Sequence, residues 1–181
     1  MRVSDTTTGY GWISIALHWL TVAIVLAMWT IGAMSQAASD DDPTLVNLHT
    51  TIGVTAYALL WGRIVWRFAV GHPGPLPRQG PVFFSIAKYF HFLLLVALGV
   101  MLLSGPLMVW FAGEAIQVFA LTIPTPLPKI PAVHDLLRNV HAMTASFLLV
   151  GIVLHVLAVF KRLNRDGTFD KIMVADRVRH E

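Results

Sequence analysis

Residues 136–160 read LLRNVHAMTASFLLVGIVLHVLAVF. Past Arg138 and Asn139 the stretch is almost wholly apolar, and it is long enough to cross a bilayer core, which needs about 20 helical residues. Inside it stand His141 and His155, fourteen positions apart. At 3.6 residues per turn that spacing falls within about 40° of a whole number of turns, and at 1.5 Å per residue it separates the two imidazoles by roughly 21 Å. One face of one helix therefore offers a ligand near each membrane surface. An ionisable side chain in hydrocarbon is costly and marks a functional site by default, and two stacked metal cofactors would account for both histidines.

The rest of the chain agrees. Of 181 residues 56% are hydrophobic, only 13% are charged and none is cysteine, a membrane composition rather than that of a soluble domain. Four apolar stretches, roughly 12–34, 46–68, 83–111 and 136–160, are candidates to span the bilayer. The expected fold is all-α, an integral membrane four-helix bundle forming a single domain over residues 1–181, with a short tail from 161. The first stretch is too long for a signal peptide, lacks a basic leader and has only Gly32-Ala33-Met34-Ser35 as a weak cleavage site, so it reads as a retained helix. Without cysteine there is no disulfide, no thiolate-held iron–sulfur cluster and no covalently attached haem, and any haem must be held by side chains such as histidine. No nucleic-acid partner is expected.

Charge sets the orientation. Arg2, Arg63, Arg67, Arg78, Lys88, Lys161, Arg162, Arg165, Lys171, Arg177 and Arg179 flank one side, against Lys129 and Arg138 on the other. Eleven against two places both termini and the Val70–Gly80 connector in the cytoplasm, and Asp40-Asp41-Asp42 with the Ala112–Asp135 loop opposite. The basic C-terminal cluster reads as a topology and lipid-contact signal. Gly71-His72-Pro73-Gly74-Pro75-Leu76-Pro77 ends the second helix, because its prolines lack amide donors. Ser104-Gly105-Pro106 is expected to kink or end the third. The outer loop holds Pro124, Pro126, Pro128 and Pro131 among Phe111, Ile116, Val118, Phe119, Leu121 and Ile123; it is too apolar for ordinary solvent and reads as a lid along the interface.

Counting from the helix ends gives each histidine a depth. His18 lies about six residues into the first helix from the cytoplasmic side, level with His155; His49 lies a few residues into the second from the outer side, level with His141. Two pairs result, His18 with His155 and His49 with His141, each joining different helices as axial ligation of a porphyrin iron requires. Bis-histidine ligation leaves no open coordination position and suits electron transfer. Arg63 follows His49 by fourteen residues, which places it on the same face at the inner depth, where a guanidinium can pair with a haem propionate. Arg67 reads as an interfacial, snorkelling anchor. Gly53 and Gly151, each one turn from a ligand, serve either the approach of a macrocycle or helix packing. His91 sits at the inner depth with no ligand position left to fill, and its candidate roles are a hydrogen bond to a quinone carbonyl, contact with a propionate, proton transfer or packing. His72, His134 and His180 are expected in loops or the tail.

The opening Ile15-Ala16-Leu17-His18-Trp19-Leu20, the Asn47-Leu48-His49 start of the second helix with Arg63, His91, Leu121-Thr122-Ile123-Pro124, and His141 with His155 resemble the bacterial cytochrome b561 family of four-helix, two-haem membrane cytochromes. The likeness covers nearly the whole chain. It implies two haems b held by His18, His49, His141 and His155, a bacterial inner-membrane location, and redox chemistry linked to quinone, with ubiquinone as acceptor and superoxide or a periplasmic redox protein as donor. The compact length favours a free-standing cytochrome; alternatives are an electron-conducting subunit of a larger respiratory complex such as a hydrogenase, and a histidine-lined ion or proton transporter. Lys129 and Arg138 would attract an anionic donor, with Asp135 and Glu114 diluting the field. Pro126, Pro128 and Pro131 look unlike a fixed family pattern.

Overall fold

The computed structural model describes residues 3, 5–6, 9–37, 43–71, 73–75 and 80–166, the last five of these as backbone only. Arg2, Asp40, Asp41, Asp42, His72, Arg78, Lys171, Arg177, Arg179 and His180 lie outside the described residues, as do the side chains of Arg162 and Arg165. Four helices follow in chain order: α1 (Trp12–Ala37), α2 (Thr44–Val70), α3 (Pro81–Phe111) and α4 (Pro131–Asp166). α1, α3 and the Pro131–Lys161 part of α4 are long and apolar enough to cross a membrane. α2, with 27 residues, spans roughly 40 Å but falls short on apolarity, where four apolar spans were expected. Its polar load has a physical reason: Arg63 and Arg67 are buried in the protein, and a bundle interior is where a spanning helix can carry charge.

α1 packs along α2, and α3 along α4, as two antiparallel hairpins. The core is a seam of Ala56, Leu60 and Ile64 on α2 against Leu98 and Leu102 on α3, flanked by Ile24 and Val25 of α1. Outward faces carry Trp29, Phe92, Phe147, Val150 and Leu157 exposed, an apolar surface of the kind that marks membrane contact.

Several expectations are corrected. α3 does not end at Pro106 but passes through it to Phe111, the bound its apolar run gave, as membrane helices do when neighbouring groups take up the freed backbone bond. α4 begins at Pro131, not 136, since proline needs no amide donor in a first turn; His134 is therefore a helix residue, with its Nδ1 2.8 Å from the Met108 carbonyl oxygen. The helix also runs on past 160 to Asp166. The outer segment is not irregular throughout: β1 (Ile116–Val118) and β2 (Leu121–Ile123) pair antiparallel, Ile116 opposite Ile123 and Val118 opposite Leu121. β1 buries Ile116 and Val118 and packs on α2 and α3, while Phe119 at the turn and Leu121 are exposed. Phe119 has φ 52°, a conformation that costs a side-chain-bearing residue about 1–2 kcal/mol.

Candidate haem sites

α4 supplies one imidazole to each of two facing pairs. His18 of α1 faces His155 with ring centres 6.2 Å apart and planes at 64°. His49 of α2 faces His141 at 6.3 Å and 76°. Both pairs bridge the two hairpins, and the crossed combinations that depth excludes do not form. A metal–imidazole bond of about 2 Å, plus about 1 Å from the ring nitrogen to the ring centre, sets two axial rings about 6 Å apart. The observed spacings match that at both sites. Among the described residues no group of three or more His, Asp or Glu side chains is arranged to hold an ion. Two imidazoles are too few for a bare ion, and each pair would suit a metal whose remaining ligands a macrocycle supplies.

The outer pair has supports that the sequence reading did not assign. Ser104, 2% exposed, donates its hydroxyl proton to the Met101 carbonyl and lies 3.0 Å from Nδ1 of His141. With the hydroxyl proton on the Met101 carbonyl, the serine oxygen is free to accept from a protonated Nδ1, an arrangement that would fix the ring and leave Nε2 with the lone pair. This is the usual way a protein orients a ligating histidine. Glycines make the room: a Cβ on Gly32 would stand 3.2 Å from Cε1 of His49, and one on Gly105 3.4 Å from Cε1 of His141. Nδ1 of His49 is buried without a hydrogen-bond partner. The serine and Gly105 are legible in the Ser104-Gly105-Pro106 motif, but reading it as a kink alone misses the hydroxyl at the depth of His141.

Gly53 and Gly151 both stand against side chains of neighbouring helices. A Cβ on Gly53 would press Met28 of α1 at 3.2 Å, and one on Gly151 would meet Leu94 of α3 at 2.6 Å. At the inner pair His91 stands edge-on to His155, ring centres 4.8 Å apart, with its Nδ1 2.7 Å from the Ala87 carbonyl oxygen. The backbone carbonyl thus takes the Nδ1 proton.

Two buried arginines lie one turn apart on α2. Arg63 is 8% and Arg67 7% exposed, so Arg67 does not snorkel to solvent as expected. It meets Asp5 at 3.3 Å, donates to the Gly71 carbonyl and lies 5.1 Å over the Tyr10 ring. Burial pushes the Tyr10 phenol above its ordinary value, against the opposing charge of Arg67, and keeps it neutral. Arg63 differs: its Nη1 is buried with no hydrogen-bond partner. A guanidinium in that state calls for an anion, since an uncompensated buried charge costs several kcal/mol.

A family model described as prokaryotic cytochrome b561 matches residues 9–173. The chain is 31% identical over 182 aligned positions to cytochrome b561 homolog 2 of Escherichia coli, with 96% of this chain and 95% of that protein covered. It is 22% identical to a probable superoxide oxidase, CybB, of Yersinia pestis, with 93% and 97% covered. Facing imidazoles on apolar helices and the match along the chain agree: this protein belongs to the prokaryotic cytochrome b561 family of membrane electron-transfer proteins.

Proposed function

We propose that the chain is a di-haem b oxidoreductase of the bacterial inner membrane, both termini cytoplasmic, that moves single electrons between a donor at the outer surface and membrane quinone. The observation that carries this reading is the pair of imidazole couples at 6.2 and 6.3 Å, stacked along one shared helix. When bound, two haems supply one-electron redox chemistry at two depths of the membrane. His18 and His155 hold the inner one, His49 and His141 the outer. Ser104 keeps the Nδ1 proton of His141 in place so that Nε2 ligates, and Arg63 takes an anionic propionate with its unpartnered Nη1. His91, beside His155, would serve the quinone step as an acceptor from a quinol hydroxyl, since its Nδ1 proton goes to the Ala87 carbonyl oxygen. Superoxide as donor is supported mainly by the name of the Yersinia relative, since the pull of Lys129 and Arg138 on an anion is offset by Asp135 and Glu114.

The decisive measurement is the haem-to-protein ratio with spectra before and after dithionite. The expected result is two non-covalent haems b per chain, with His141→Ala losing the outer and His155→Ala the inner, each keeping much of the other across roughly 21 Å of helix. A single haem at full occupancy, or loss of the same haem in both variants, would overturn the reading. Superoxide-driven quinone reduction by the purified protein then tests the donor and acceptor.

A further inference from the structure

The N-terminal segment is tied into the inner end of the bundle by one carboxylate. Oδ1 of Asp5 accepts the Gly11 backbone N–H at 2.8 Å, just ahead of α1, and Oδ2 meets Nη1 of Arg67 at 3.3 Å, at the far end of α2. The side chains of Asp5 and Arg67 are 4% and 8% exposed. Ser14, accepting from Trp66 Nε1 at 2.8 Å, fastens the same two helices one turn further in. A surface ion pair would carry little weight, but this one is withdrawn from water, where charges act over distance with little screening. Ser14 stands one helical turn before His18 on α1 and Trp66 directly precedes Arg67 on α2, so the Ser14–Trp66 hydrogen bond brings the Arg67 end of α2 beside the His18 end of α1. Asp5 balances Arg67, so the Arg67 charge is neutralised at the end of the bundle that carries the His18–His155 pair.

We infer that Asp5 is a positioning residue for the inner redox centre: through its pair with Arg67 it sets the net charge beside His18 and so the midpoint potential of the haem held there. This rests on the di-haem reading above. Reduction adds an electron, so removing a neighbouring negative charge favours it and removing a positive charge opposes it. Asp5→Asn should therefore raise the inner midpoint and Arg67→Gln should lower it. The double variant Asp5→Asn/Arg67→Gln, which removes both charges, should return close to the starting value, with the outer midpoint unmoved in all three.

The test is a redox titration of the full-length protein in detergent, with the two haems resolved and haem content measured alongside. Opposite shifts that cancel in the double variant support the inference. An inner midpoint unmoved in both single variants, or displaced in the same direction, overturns it and leaves Asp5 as a structural tie. If a single variant fails to retain the inner haem, its recovery in the double variant supports charge balance, and continued loss there overturns it. Failure of the underlying di-haem reading is distinguishable, because it would appear in the unsubstituted protein as a missing haem.

Discussion

Ser104 shows how a small residue governs a large site. Its hydroxyl is the orienting partner of His141, and orienting partners of metal-bound histidines typically contribute 10–100-fold in affinity or activity. Ser104→Ala should lower outer-haem retention by about that order while leaving the inner haem in place, since the substitution removes a buried hydrogen bond at one depth only. Haem content after detergent dilution, resolved by the two spectral components, measures this; equal loss from both sites would show that the serine supports the bundle and not the ligand. The sequence exposes the histidine at once, because an ionisable group in an apolar helix is conspicuous. It hides the serine, because a hydroxyl in a membrane helix can bond to its own backbone and usually needs no further partner.

At the scale of elements, glycines decide how closely helices and imidazoles approach. Gly32 of α1 backs the ring of His49, and Gly151 of α4 backs Leu94 of α3. Gly32→Val should displace His49 and selectively cost the outer haem. Gly151→Val should drive α4 from α3 one turn from His155, and so weaken the inner haem and lower thermal stability by about 1–3 kcal/mol, the usual cost of overpacking. Spectral haem quantitation with thermal unfolding of each variant separates the two, and an inner-haem loss in Gly32→Val would contradict the assignment. Helix spans were legible from runs of apolar residues, within a few positions. The β1–β2 hairpin was not: two three-residue strands are too short for a pattern of period two to stand out, and Val118-Phe119-Ala120-Leu121 carries none of the Asn-Gly or Gly-first chemistry that signals a tight turn.

For the whole molecule, two helical hairpins meet across two imidazole pairs, and α4 carries half of each. Ligands that bind only the folded arrangement stabilise it by mass action, so each haem would join hairpin to hairpin as well as carry electrons. Orientation is open to direct measurement because the chain contains no cysteine. Glu114→Cys in the outer segment and Pro75→Cys in the α2–α3 connector are exposed single sites. An impermeant thiol reagent applied to intact spheroplasts should label Glu114→Cys and spare Pro75→Cys until the membrane is opened. The reverse pattern would invert the topology read from the basic residues.

What the sequence determined by itself was the set of helices and the pairing of His18 with His155 and His49 with His141. Helical rise converts residue count into depth, and only groups at equal depth can share a cofactor. Tertiary structure alone decided the lateral relations: that Arg67 turns inward to Asp5, that Ser104 meets His141, that Gly53 and Gly151 face helices. Depth is a one-dimensional property of a spanning helix and can be counted, whereas the face each helix turns to its neighbours follows from how side chains interlock in the assembled bundle. Asp5 is the extreme case, an isolated acid in the sequence whose partner lies sixty-two residues away.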